Sequence, residues 1–176
     1  MFAQRTESNS EEDSLAIAKT TIKFYESVFS GLPYLRENWQ NGTLRIDTIN
    51  YMHQLRELGV LSEKFFKSEV DKIHACETAS SKIPYTKVRD CGCSVSMLVD
   101  GCDFLENFNN WMFTQERYDG FEVADINIEQ DLGLGVIKFY YLNGEKRHFD
   151  FITARIHLER YENKWLINRI ERRSDY

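Results

Sequence analysis

Apolar positions recur along this chain with two different periods, and the change from one to the other divides it. From Glu11 to Ser30 the spacing is helical: Leu15, Ala18, Ile22, Tyr25 and Phe29 share a stripe that Ile17, Phe24 and Val28 widen. Glu11, Glu12 and Asp13 fill the first turn, where the helix dipole favours negative charge, and Gly31 and Pro33 end it. A loop with Trp39 and the formal glycosylation sequon Asn41-Gly42-Thr43 follows. A second helix is predicted over Leu44–Leu58, with Ile49, Met52 and Leu55 inward and Gly59 as a left-handed cap. Ser62 caps a third helix whose stripe is Phe66, Val70 and Ile73, and Leu61 is placed to staple against Phe66. Val95, Met97 and Val99 alternate as a short strand, and Asp103–Phe113 reads as a short helix or a packed loop.

From Phe121 to Arg172 the period becomes two. Asn143-Gly144 is read as a type I′ turn joining Gly135–Leu142 to Glu145–Arg160, because both central positions need positive φ. A second turn at Glu162-Asn163 leads into Trp165–Glu171. Ile152, Ala154, Ile156 and Leu158 make one apolar row. Phe149 and Phe151, followed by Thr153, Arg155, His157 and Glu159, make the opposite one. One sheet face is thus committed to a core, and the other is left for a partner, a ligand or solvent. Gly133-Leu134-Gly135 opens this region as a turn or bulge.

The organisation follows as a polar lead-in over residues 1–14, one domain over 15–172 and a tail over 173–176. At 176 residues, with 12 Phe, 9 Tyr and 3 Trp against 2 Pro, the chain can bury a packed α+β core. A net charge of −6 disfavours a nucleic-acid partner, since the basic cluster Arg169, Arg172 and Arg173 is diluted by Glu171 and Asp175. No apolar run approaches the length of a membrane span. Met1-Phe2-Ala3-Gln4 ends like a secretory signal, and with the cysteine usage it points to a periplasmic or secreted protein.

Cys76, Cys91, Cys93 and Cys102 are an even set suited to two disulfides. Strand geometry would point Cys91 and Cys93 the same way without bringing them together, so each is expected to pair with Cys76 or Cys102. The alternatives are buried or free thiols, and zinc held by His74-x-Cys76 and Cys91-x-Cys93, whose spacing departs from the usual ligand pattern; no metal is assigned. No nucleophile motif marks a catalytic thiol.

Phe24-Tyr25, Leu61-Ser62-x-x-Phe65, Asp100-x-x-Asp103-Phe104-Leu105 and the closing Glu162-Asn163-Lys164-Trp165-Leu166-Ile167-Asn168-Arg169-Ile170 carry a resemblance. They resemble the nuclear transport factor 2-like superfamily, the cone fold of ketosteroid isomerase and scytalone dehydratase. The chain looks most similar to exported bacterial members built from a domain of unknown function. Asn107-Phe108 departs from the polar pair expected after those motifs. The resemblance implies three N-terminal helices packed in a strongly curved, mostly antiparallel sheet. It also implies a cone mouth that takes a protein partner or a small apolar ligand, and dimerisation through the exposed sheet.

The expectation drawn from it is a non-enzymatic exported binding protein without a cofactor. An immunity protein against a secreted toxin would contact its target through Phe149, Phe151, Arg155, His157 and Glu159. The alternative is a cofactor-independent isomerase or dehydratase, with Asp150 as base in an apolar cavity beside Tyr140 and His157. Tyr25 and Tyr141 are further available parts, whereas His53 and His74 sit on helices and read as solvent-facing. Glycine-rich phosphate loops, nucleophile elbows and zinc-protease motifs are missing from the sequence.

Overall fold

The computed structural model describes residues 7–33, 35, 37–40, 42–105, 111–114 and 117–174. The signal-like opening, Asn107-Phe108 and the end of the tail lie outside the described residues. Helix α1 (Glu7–Phe29) is followed by a hairpin of β1 (Glu37–Gln40) and β2 (Thr43–Ile46). Then come α2 (Thr48–Leu58), α3 (Glu63–Ser80), α4 (Tyr85–Cys91), α5 (Val95–Leu98) and a 3₁₀ turn at Asp103–Leu105. The chain closes with β3 (Gly120–Glu129), β4 (Leu132–Asn143), β5 (Lys146–Tyr161) and β6 (Lys164–Ser174).

This architecture is α+β with two separate antiparallel sheets, and it corrects the nuclear transport factor 2-like cone. The last four strands form a plain meander in the order β3-β4-β5-β6, and β1 and β2 form their own two-stranded sheet. A cone needs one curved sheet wrapped around three helices; here, among the described residues, five helices and a hairpin precede a four-stranded sheet. The expected strand at Val95–Val99 is the short helix α5, with Val95 and Val99 buried and Met97 exposed. Positions 95 and 99 are spaced i, i+4, so the same residues satisfy a helical turn as well as an alternation. Thr43–Ile46 belongs to β2 and not to the second helix: Leu44 and Ile46 are buried in alternation, and Asp47 then caps α2 by accepting from the Asn50 N–H.

The buried stripe of α1 is Ile17, Thr21, Phe24, Tyr25 and Val28, rotated from the expected one, and Leu15 and Ile22 are exposed. On α2, Tyr51 and Leu55 face inward while Ile49 is 87% exposed. Other local readings match the sequence. Gly59 is left-handed at φ 65°, and Ser62 accepts from the Phe65 N–H at 3.3 Å. Val60–Ser62 then runs beside β6, with a parallel bridge from Leu61 to Ile167. Glu162 and Asn163 both take positive φ in the β5–β6 turn, as a type I′ turn requires. The β4–β5 turn is displaced by one residue: Asn143 pairs with Lys146, so its central residues are Gly144 and Glu145, and only the glycine has positive φ.

The core lies between α1, α3 and the inner face of the sheet. Phe24 packs edge-on against Trp111 at 5.1 Å, Tyr25 against Phe139 at 5.6 Å, and Tyr118 stacks on Phe139 at 4.8 Å. Inner residues of β5, namely Ile152, Ala154, Ile156 and Leu158, are all buried. Gly133 and Gly135 are the second and fourth residues of β4, so they open the strand as read but do not form a turn. A Cβ on Gly133 would stand 2.6 Å from Ile17 Cδ1, so the missing side chain is what lets α1 approach the sheet.

Candidate functional site

The helices pack against one side of the four-stranded sheet, and its other side carries the residues singled out from sequence. Strand alternation places Leu132, Leu134, Val136, Lys138, Tyr140 and Leu142 of β4 on that outer face, opposite the inward Gly133, Ile137 and Phe139. The register sets Tyr140 against Phe149, Val136 against Arg155, Leu134 against His157 and Leu132 against Glu159. An irregularity between Lys138 and Tyr140 lets β5 supply extra residues there. The result is a surface with two parts.

Toward the β4–β5 turn the outer face is apolar. Leu142, Phe149 and Phe151 are about half exposed, Tyr140 and Phe149 meet edge-on at 5.6 Å, and the Arg147 guanidinium lies 4.7 Å over the Tyr140 ring. Toward the opposite end it is ionic. His157 Nε2 lies 3.0 Å from Glu171 Oε1, Arg169 pairs with the other carboxylate oxygen at 2.5 Å, and Arg155 approaches at 3.8 Å. The Glu171 carboxyl is held below the ordinary 4.5, first by the hydrogen bond from His157 and then by the nearby charges of Arg169, His157 and Arg155, with desolvation opposing. Among the described residues, the Nε atom of Arg155 is buried without an acceptor. Glu159 pairs with Lys64 from the start of α3.

The three residues of the isomerase or dehydratase reading do not converge. Tyr140 sits at the apolar end of the outer face. The partner of His157 on β4 is Leu134, six residues from Tyr140, or roughly 20 Å along the strand. Asp150 accepts from the Tyr118 hydroxyl at 2.8 Å and from the Ile152 N–H, and Tyr118 belongs to the core. Burial pushes the Tyr118 phenol up, helped by its hydrogen bond to Asp150 and by the Asp150 charge. Burial alone raises Tyr25, whose hydroxyl donates to the Trp111 carbonyl at 3.1 Å. Both phenols therefore remain neutral donors with structural partners. His53 and His74 are exposed and stand near Glu57 and Glu77 respectively.

Two polar clusters were not read from the sequence. Between α3 and β6 lies a cleft of about 230 Å³, walled by Phe65, Phe104, Trp111 and Phe113 with Glu69, Lys72, Asp103 and Arg169 among its lining. Glu69 is buried there, accepting from the Tyr51 hydroxyl and the Lys72 ammonium, each at 2.7 Å. Lys72 also lies 4.9 Å from the Phe104 ring centroid. At the far end of α1, buried Asp13 accepts from Trp165 Nε1 at 3.0 Å and Arg160 Nη1 at 3.1 Å. A signal existed in both cases, since each acid falls at helical spacing on an otherwise buried stripe. Asp13 precedes Ile17 and Thr21, and Glu69 lies between Phe65 and Ile73.

The cysteines pair differently from the expectation. Cys76 bonds Cys102, tying α3 to the turn that carries Asp103 and Phe104, and Cys91 bonds Cys93. Strand geometry was the wrong premise for the second pair. Cys91 ends α4, and Gly92 reverses the chain at φ 63°, leaving the two Cα atoms 5.2 Å apart. Two disulfides are consistent with an oxidising, extracytoplasmic environment. Among the described residues no helix is long and apolar enough to cross a membrane.

With the cone overturned, the readings built on it lose their support. These are the exported binding or immunity protein working through a cone mouth and the isomerase or dehydratase with an apolar cavity. No family model, curated protein or solved structure matches the chain.

Proposed function

We propose that the chain is a self-associating protein of an oxidising compartment, periplasmic or secreted, in which the outer sheet face pairs with the same face of a second copy. The observation that carries this is the apolar end of that face: Leu142, Phe149 and Phe151 stay half exposed and gathered around Tyr140. Exposed apolar residues gathered in one patch favour association because joining two patches removes both from water. Four strands spanning about ten residues present roughly 600 Å², close to the ~800 Å² per partner of a standard interface.

Charge supports a second copy as the occupant. The chain carries −6 overall, yet Lys138, Arg147, Arg155, Arg169 and Arg173 slightly outnumber Glu122, Glu129, Glu159 and Glu171 and leave this face close to neutral. Two like-charged chains repel least where their local charge is balanced. Arg155, His157 and Glu159 then set the register of the ionic half, and Phe149 and Phe151 supply the apolar half. A twofold arrangement needs only that the patch complement itself.

Sedimentation velocity over a wide concentration range tests the reading. The oxidised protein should sediment as a dimer, and Phe149→Glu or Phe151→Glu should return it to monomer with an unchanged circular dichroism spectrum. Ile49→Glu, which removes an exposed apolar residue of α2, should leave the dimer intact. A wild-type protein that stays monomeric at every concentration, or a dimer dispersed only by Ile49→Glu, would refute the proposal.

A further inference from the structure

The two disulfides do different work. Cys76 and Cys102 are buried and join segments 26 residues apart, whereas Cys91 is exposed, Cys93 is half-buried, and their bridge spans two residues. The short bridge fastens nothing that the backbone has not already closed. Gly92 N–H donates to the Arg89 carbonyl at 3.2 Å and Cys93 N–H to the Val88 carbonyl at 3.3 Å, the paired bonds of a Schellman cap. Helix α4 has no buried residue, so the bridge sits on a peripheral element open to solvent.

We propose that Cys91–Cys93 is an exchangeable disulfide that oxidises a dithiol, a pair of cysteine thiols in an exposed polypeptide segment. This goes beyond self-association and does not rest on it. A substrate thiolate attacks Cys93 Sγ; the Cys91–Cys93 bond breaks as the substrate–Cys93 bond forms, and Cys91 leaves with the electron pair. The Cys93 N–H stands 3.2 Å from Cys91 Sγ and stabilises the leaving thiolate. Once protonated by solvent, the Cys91 thiol has the Val88 carbonyl 3.4 Å away as acceptor. The second substrate thiolate then attacks the substrate sulfur of the mixed disulfide and expels Cys93, which takes a proton from solvent. The substrate loses two electrons and two protons and gains a disulfide, and the Cys91/Cys93 pair gains both. One chain oxidises one dithiol. Repeated turnover requires a low-molecular-weight disulfide as terminal oxidant.

The test mixes oxidised full-length protein with a reduced two-cysteine peptide, quenches with acid, alkylates free thiols and maps them by mass spectrometry. Expected are one peptide disulfide formed per chain, label confined to Cys91 and Cys93, and a mixed disulfide on Cys93. A double variant, Cys91→Ser with Cys93→Ser, should keep the wild-type circular dichroism spectrum, because the cap is a backbone structure, and should leave the peptide reduced. A peptide that stays reduced with the wild type, label on Cys76 and Cys102, or equal oxidation by the double variant would overturn the proposal.

Discussion

Substituting Gly133 tests the contact that sets α1 on the sheet. A Cβ at this position would meet Ile17 Cδ1 at 2.6 Å, Trp165 Cζ3 at 3.3 Å and Ile17 Cγ1 at 3.4 Å. Ile17 and Trp165 are buried, so neither can swing into solvent to make room. Overpacking of this kind costs about 1–3 kcal/mol. Replacing glycine by alanine also restricts the unfolded chain and returns about 0.4–1 kcal/mol where the backbone allows it. The net expectation for Gly133→Ala is a loss of about 1–2 kcal/mol, or roughly 2–8 °C in Tm for a chain of this length.

The decisive comparison removes the colliding atom. Ile17→Val deletes Cδ1 and by itself costs about 0.5–1.5 kcal/mol. In that background the closest remaining contacts of a new Cβ are beyond 3 Å. Gly133→Ala should then be neutral or stabilising, which makes the two substitutions non-additive by at least about 1 kcal/mol. Equilibrium urea unfolding of the four oxidised proteins, followed by circular dichroism, measures the cycle. Additive losses would refute the packing argument, and with it the assignment of the odd-numbered face of β4 to the core.

Asp13→Ala should cost about 2 kcal/mol, because Trp165 Nε1 loses its acceptor in a buried site; Asp13→Asn keeps one acceptor and should cost less, both read by urea unfolding. Removing the Cys76–Cys102 bridge should cost about 3.5 kcal/mol by loop closure, whereas removing Cys91–Cys93, whose ends the backbone already holds together, should cost far less, so thermal unfolding of the two double-serine variants should rank them in that order. Glu171 has a depressed folded-state value, so its stabilising contribution is complete above the ordinary 4.5 and fades as the pH falls through the lower value. Glu171→Gln should therefore lower Tm at neutral pH and converge with wild type in acid; a gap that persists or widens at low pH would contradict the assigned cause.

The C-terminal half was legible because its determinants are local. Ile152, Ala154, Ile156 and Leu158 alternate with polar residues over a length only a strand accommodates, and Asn163 marks the turn that ends it, being a residue that tolerates positive φ. The caps at Gly59 and Ser62 were legible for the same reason, since each depends on a few neighbouring backbone groups. Segments of four or five residues were not. Val95–Val99 satisfies a helical turn and a strand alternation alike, and burial of Val95 beside an exposed Met97 is decided by what the rest of the chain packs against it. Which side of α1 faces inward was likewise settled by the sheet. Leu15 and Ile22 are as apolar as Ile17, but only Ile17 meets the space left by Gly133, and Asp13 is drawn inward by Trp165 and Arg160 from β5 and β6. The number of sheets, the Cys76–Cys102 pairing and the separation of Asp150 from Tyr140 and His157 depend on contacts between segments distant in sequence. Periodicity specifies which face of an element is apolar, and only tertiary packing decides what that face meets.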